Sequence, residues 1–356
     1  MAYRAKYPLI KDLAKVPPHL QLTLTADLQT LHQSPWVVGD GTFAYRASGF
    51  PFQQIYVLCA FIQGEAVPVV HFLMSSKDIH AYRRVFSVLR TQMLQQFGSL
   101  GGLETALFLT DWEPAAFNAF TDVFPRATHR MCAFHFAKDV QQRIDSEKMG
   151  GMYRRTAPYD APQYAAFYTW VRRLVGMVLL PPGCLLDAWN NILRHFPISG
   201  DPEMDGIVAK FATYVGSTWV SSGPNRPPRW KPEKMSHFLS ADNAPRTTNH
   251  CEGNNNALRY KFDHQKPPLG EFLVRFQEFH HVWQQRIKEL LGGAPPKARD
   301  AEYAANDTKI AAAKTHFRER LSDFQAGRIT RNDYDSHVVA YLDRVQHNLG
   351  NNLGNA

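Results

Sequence analysis

Apolar and polar positions along the chain recur with two different periods, and the change from one to the other predicts its elements. Trp36-Val-Val-Gly-Asp40-Gly-Thr-Phe43 reads as a short strand that ends on an acid and is followed by a residue free to turn. Gln54 to Phe61 and Ala66 to Met74 are β-branched and aromatic runs separated by a short Gly-containing turn. With the Asp40 strand they predict an antiparallel meander of three strands. From Asp78 to Phe97 the apolar residues Ile79, Tyr82, Val85, Phe86, Leu89, Met93 and Leu94 take up helical spacing. Thr105 to Thr110 then predicts strand four, Pro114 to Asp122 a helix, Ala127 to Phe134 strand five, and Phe136 to Met149 another helix. Strand five runs into Cys132-x-x-His135.

Three antiparallel strands followed by alternating helix and strand describe an α/β, ribonuclease H-like core: a mixed five-stranded sheet with flanking helices. From about Pro158 to Lys234 the segments are helix-length, carry Trp170, Trp189 and Trp219, and are broken by prolines; they predict an all-helical insertion. Core sequence resumes at Pro245-Arg-Thr-Thr-Asn249-His-Cys-Glu252-Gly, which opens a helix. A long helix follows from about Gly270 to Leu291, with Phe272, Phe276, Phe279, Val282 and Trp283 on one broad face. The expected organisation is a lead-in over 1–34, the first part of the core over 35–157, the insertion over 158–240 and the rest of the core over 241–292. A helical tail over 293–356 would hold helices near 301–324 and 329–347 and end in a loose NNLGNA.

Composition narrows this picture. A hydrophobic share of 44% belongs to a chain with a substantial core, which excludes wholesale disorder. No apolar stretch reaches the roughly 18 to 20 residues that cross a bilayer, and the first residues lack the apolar centre of a signal peptide, so a soluble intracellular protein is expected. A net charge of +8 favours a polyanionic partner. The four cysteines, at 59, 132, 184 and 251, form no CxxC pair, which argues against a disulfide framework and a self-contained zinc finger.

Three acids fall at element junctions: Asp40, Asp111 and Glu252. In a ribonuclease H-like sheet strands one and four are neighbours, so Asp40 and Asp111 would meet at one sheet end with Glu252 facing them from the late helix. Converging carboxylates repel one another unless a cation intervenes. Two Mg²⁺ or Mn²⁺ ions roughly 3.5 to 4 Å apart would then serve phosphodiester chemistry. Ordinary readings stand beside this one: Asp40 before Gly41 making a turn, Asp111 capping the next helix, and Asn249-x-x-Glu252 forming a capping box. Cys132 and His135 offer two ligands to Zn²⁺, a site that Cys251, His250 or His129 would have to complete, against the alternative of a buried cysteine and a hydrogen-bonded histidine. The insertion tryptophans read as core or as base-stacking groups. Arg154-Arg155, Arg172-Arg173 and Arg226 with Arg229 read as phosphate contacts or as solvated surface.

Asp40-Gly-Thr-Phe43, Thr110-Asp111-Trp-Glu113 with Phe124-Pro125, Cys132-Ala-Phe-His135, and Arg246-Thr-Thr-Asn249-x-x-Glu252-Gly253 resemble, in this order, the motifs of Mutator-like element (MULE) transposase domains. The resemblance spans about residues 36 to 290. It implies a DDE core with a helical insertion before the last acid, and Asp40, Asp111 and Glu252 as catalytic, metal-binding residues. It further implies DNA as partner, contacts from Arg246, Asn249 and Arg259, a homo-oligomer on DNA, no membrane, and work in the nucleus. A C-x-x-H pair after strand five also belongs to the family. Two positions depart from the pattern: Thr248 stands where a second Asn is usual, and Asn255 where a His is often found three residues after the glutamate.

Overall fold

The computed structural model describes residues 25–43, 47–49, 52–159, 161–221, 226–262 and 266–348. The expectations for most of the lead-in and for the NNLGNA end lie outside them. Five strands, β1 (Trp36–Thr42), β2 (Gln54–Ile62), β3 (Glu65–Met74), β4 (Leu107–Thr110) and β5 (Thr128–Met131), form one sheet in the order β3-β2-β1-β4-β5. β1 pairs antiparallel with β2, β2 antiparallel with β3, and β1 parallel with β4, the mixed α/β sheet expected of a ribonuclease H-like fold. The β2–β3 hairpin turns on two residues, Gln63 at φ 51° and Gly64 at φ 87°. Positive φ at both central positions matches the twist of the strands they join.

Thirteen α-helices accompany the sheet among the described residues. They are α1 (Thr25–Gln33), α2 (Ile79–Phe97), α3 (Pro114–Val123), α4 (Ala133–Ser146), α5 (Gly150–Arg154), α6 (Ala165–Gly176), α7 (Leu185–Arg194), α8 (Pro202–Val215), α9 (Pro232–Met235), α10 (Asn249–Lys261), α11 (Leu269–Leu291), α12 (Ala301–Gln325) and α13 (Arg331–Asn348). α2 starts where the pattern says, because the Asp78 carboxylate accepts from the Ala81 N–H at 2.9 Å, and stops at Gly98 in the left-handed region. Strand five and the following helix differ from expectation. β5 ends at Met131 and α4 begins at Ala133, because the Cys132 sulfur accepts the His135 N–H and starts the helix there. The apolar residues after it, Ala133, Phe136, Ala137 and Val140, are the buried face of α4. On α11 Val282 is 68% exposed and stands outside the apolar face otherwise predicted correctly.

The described residues divide into two compact units. One runs to His129 and resumes at Thr247–Ala298; the other comprises Arg130–Arg246 and the residues from Arg299 on. The sequence reading instead drew a boundary near 157 and set 293–356 apart as a tail. The last two helices join the insertion through specific contacts: Arg173 pairs with Asp343 at 2.7 Å, Arg194 with Asp335 at 2.8 Å, and the Arg172 guanidinium donates to the Gln346 carbonyl.

In the first unit the two faces of the sheet are separated by the strand alternation. Val37 and Phe108 face one way, where Phe108 stacks on Phe120 and meets Phe86, itself packed with Tyr56 and Tyr82. Val38, Val57, Cys59 and Leu109 face the other way, against Cys251 of α10. Gly39 belongs to the first face, and a Cβ there would lie 2.5 Å from the Tyr56 hydroxyl and 3.1 Å from Phe108. Gly39→Val is therefore expected to overpack this core and lower stability by about 1–3 kcal/mol. Thermal denaturation beside wild type checks it; an unchanged midpoint would contradict the packing described.

Candidate active site

β1 runs on to Thr42 beside β2, but its pairing with β4 stops at Gly39 opposite Thr110. The next position on each strand is an acid. Asp40 follows Val38 by two residues and Asp111 follows Leu109 by two, so both continue rows on the face that α10 covers. Neighbouring strands lie about 4.8 Å apart, which brings the two aspartates together without any loop having to fold over. The Asp111 Oδ1 accepts the Glu113 N–H at 3.2 Å, and Glu113 in turn precedes Pro114, the first residue of α3. The Glu113 Oε2 accepts from the Tyr82 hydroxyl at 3.1 Å, and that hydroxyl accepts from Gln54 at 3.0 Å.

α10 is fixed to the sheet by Cys251, whose sulfur lies 3.4 Å from both the Val38 carbonyl and the Cys59 sulfur. Its next residue is Glu252, and Asn255 stands on the same side of the helix one turn later. The Asn255 Nδ2 donates to Asp40 Oδ2 at 3.1 Å. Asp40, Asp111, Glu113 and Glu252 consequently share one electrostatic environment. Burial, then Asp111, then Glu252 and Glu113 push the Asp40 carboxyl up to about 8. Asp111 is raised by burial, and Glu113 by burial and by Asp111; the ammonium of Lys77 opposes the rise at both.

Such a group of hard oxygen donors suits Mg²⁺ or Mn²⁺ in chemistry and in charge. Among the described residues, no three His, Cys, Asp or Glu side chains are arranged to hold a metal ion. The acids face protein partners: Asp40 the Asn255 amide, Asp111 the Glu113 N–H, and Glu113 the Tyr82 hydroxyl.

The ordinary explanations of the three acids do not describe this geometry. Asp40 and Gly41 lie within β1 rather than in a turn. Asp111 stands two residues before the N-cap of α3. The N-cap of α10 is Thr248 and makes no side-chain capping bond, so Asn249-x-x-Glu252 is not a capping box. Cys132 and His135, read at a strand end either as two zinc ligands or as a buried cysteine with a hydrogen-bonded histidine, start α4; burial moves His135 down to about 4, so its imidazole is neutral at physiological pH. The residues named to complete a zinc site are engaged elsewhere. Cys251 is on Val38 and Cys59, the His250 ring on Phe61, and His129 stacks on Phe117 and shares a hydrogen bond with Thr110 at 2.8 Å.

Asn249 and Arg259 are exposed on α10, whereas Arg246 is paired with Asp307. Trp170, Trp189 and Trp219 are buried, which bears out the packing reading. Arg154 is paired with Asp145, and Arg172 and Arg173 reach α13. The sequence pattern assigns no site role to Glu113, Tyr82, Lys77 or the Asn255 amide. The Asp-x-Glu spacing at 111–113 was the visible signal for the first of them; the others depend on contacts across the fold.

A mixed sheet of this order, with acids leaving β1 and β4 side by side, defines the class as ribonuclease H-like. Residues 36–139 match the model of the MULE transposase domain, the family that the sequence motifs resemble. The matched stretch carries Asp40, Asp111 and Glu113. No curated protein matches the chain.

The raised Asp40 pKa has a stability consequence of definite sign. Between its ordinary value of 3.8 and about 8 the folded protein holds a proton that the unfolded chain has released. Folding is therefore increasingly penalised as pH rises through that window, and the penalty is complete above it. In chelator-treated buffer Asp40→Asn is expected to be more stable than wild type at pH 9, by on the order of a few kcal/mol, with the gap closing towards pH 4. Melting curves of the two proteins at pH 5 and pH 9 check this; parallel pH dependences would refute it.

Proposed function

We infer a transposase-related function with DNA as partner from the match of residues 36–139 to the MULE transposase domain. We propose that this chain is the catalytic domain of a Mutator-like DDE transposase that cuts DNA strands and joins them to a target. The observation that supports this most directly is that Asp40 and Asp111 follow the last paired positions of β1 and β4, with buried Asp40 feeling both Asp111 and Glu252. In this reading Asp40, Asp111 and Glu252 hold two divalent ions, Mg²⁺ or Mn²⁺. When bound, the ions would make water or a DNA 3′-hydroxyl a better nucleophile and stabilise the departing oxygen.

The chain's own residues do the positioning. Cys251 fixes the rotation of α10 and thus the side from which Glu252 arrives. Asn255 orients Asp40, and Tyr82 orients Glu113, which adds negative charge next to Asp111. Exposed Asn249 and Arg259 lie on the outer side of the same helix and would meet the DNA backbone. Arg246, held by Asp307, would contribute through the loop it steadies. Work in the nucleus and assembly on DNA as a homo-oligomer complete the proposal.

A second reading, a domesticated or decayed module that binds DNA or protein without catalysis, draws on the absence, among the described residues, of a ready metal-holding group. Strand transfer with the element's terminal-repeat DNA separates the two. Wild type is expected to act in Mg²⁺ or Mn²⁺ and not in chelator, while Asp111→Asn loses at least about hundredfold. Equal activity of both proteins would remove Asp111 from the mechanism, and an inactive wild type that still binds the DNA would favour the second reading.

A further inference from the structure

The end of the sheet that carries the acids also carries an exposed aromatic ring and a cation. β1 extends three residues past Gly39, the last of its positions paired with β4. Phe43 follows directly, about 10 Å along the chain from Asp40 at an extended rise. Thr42 pairs with Ile55, which pairs with Leu73, so the segment after β3 leaves the sheet at this same end. Lys77 lies in that segment, and its ammonium stands 5.2 Å from the centre of the Phe43 ring. Phe43 is 51% exposed, and among the described residues Lys77 makes no salt bridge. The charge of Lys77 nevertheless reaches both Asp111 and Glu113.

A half-exposed phenyl ring is poorly hydrated, and an exposed ammonium over it contributes roughly 0.5–1 kcal/mol, too little to account for keeping the ring in water. What the pair offers is one π-face and one positive charge, side by side at the sheet end that carries the acids. Single-stranded nucleic acid is held by that combination, bases on aromatic rings and phosphates on cations. A base inside a duplex already has both faces stacked, so an exposed ring can serve only a base that is unpaired. The cation answers a second need, since a polyanion approaching an acidic cluster meets repulsion that a nearby lysine reduces.

We infer that Phe43 and Lys77 form a substrate subsite in which Phe43 stacks on an unpaired base beside the scissile position and Lys77 takes the adjacent phosphate. The subsite rests on the reading of DNA as substrate but requires no chemistry to be tested. It makes Phe43 and Lys77 binding and positioning groups, selecting DNA that is frayed or open at the cut over DNA that is fully paired.

The test is equilibrium binding by wild type, Phe43→Ala, Phe43→Trp and Lys77→Gln across a salt series. One probe duplex carries two unpaired nucleotides containing 2-aminopurine, and a second is fully paired. Wild type is expected to prefer the open duplex. Phe43→Ala should weaken that binding by about tenfold and leave the paired duplex unchanged, while Phe43→Trp retains the preference and quenches the 2-aminopurine. Lys77→Gln should lower the salt slope on the open duplex by about 0.7 to 0.9. A wild type without preference, or a Phe43→Ala variant that binds both duplexes as wild type does, overturns the subsite. Equal weakening on both also overturns it, because a merely structural role would have that effect. The outcome is independent of catalysis because it is read from binding alone, and the activity of Asp111→Asn in strand transfer judges the catalytic reading separately.

Discussion

Carboxylates held close together in a poorly solvated place repel one another, and the sheet unit of this protein is arranged around that repulsion. Asp40 is buried, faces Asp111 on the neighbouring strand, and feels Glu252 and Glu113 as well. Burying a charge without a partner is costly, and burying several of one sign is more so. The surrounding structure meets the cost with neutral donors, the Asn255 amide, the Glu113 N–H and the Tyr82 hydroxyl, and with one cation at the rim, Lys77. Among these groups Lys77 is the cation whose charge lowers the cost at both Asp111 and Glu113.

What keeps the acids in place is packing that has no charge at all. Val38 and Leu109 lie two residues before Asp40 and Asp111 on the same face, so their burial beneath α10 aims both carboxylates towards that helix. Cys251 touches this row and the Val38 carbonyl, which sets the rotation of α10. A one-residue slip of either strand would turn its acid to the opposite face, into the aromatic layer of Phe86, Phe108 and Phe120. The aromatic core and the acidic end are therefore two results of one register.

The helical residues between β5 and α10 have a different character. Their tryptophans and the pair Arg172-Arg173 are used in holding that unit together: Trp170 donates to the Ile192 carbonyl at 3.0 Å, and Arg172 and Arg173 meet α13, as does Arg194. These side chains carry structure, whereas Arg259, Asn249 and Lys77 of the sheet unit are exposed.

By itself the sequence determined the order of strands and helices and the helix start at Asp78, and it picked out Asp40, Asp111 and Glu252, although β1 runs two residues beyond Asp40. These are legible because they rest on local period, capping and composition, and the ordered motifs of one family supported them. It misjudged Cys132, because a sulfur that accepts the N–H three residues on looks, in sequence, like the end of an apolar strand. It also set the C-terminal helices apart, since ion pairs spanning well over a hundred residues, such as Arg173 with Asp343, leave no local trace. Only the tertiary structure decided that Glu113 joins the acids, that Asn255 reaches Asp40, that Arg246 is held by Asp307, and that Lys77 covers Phe43. The physical reason is distance along the chain: local patterns report which face of a strand or helix is buried, whereas the partner of a buried charge is chosen by register and helix rotation.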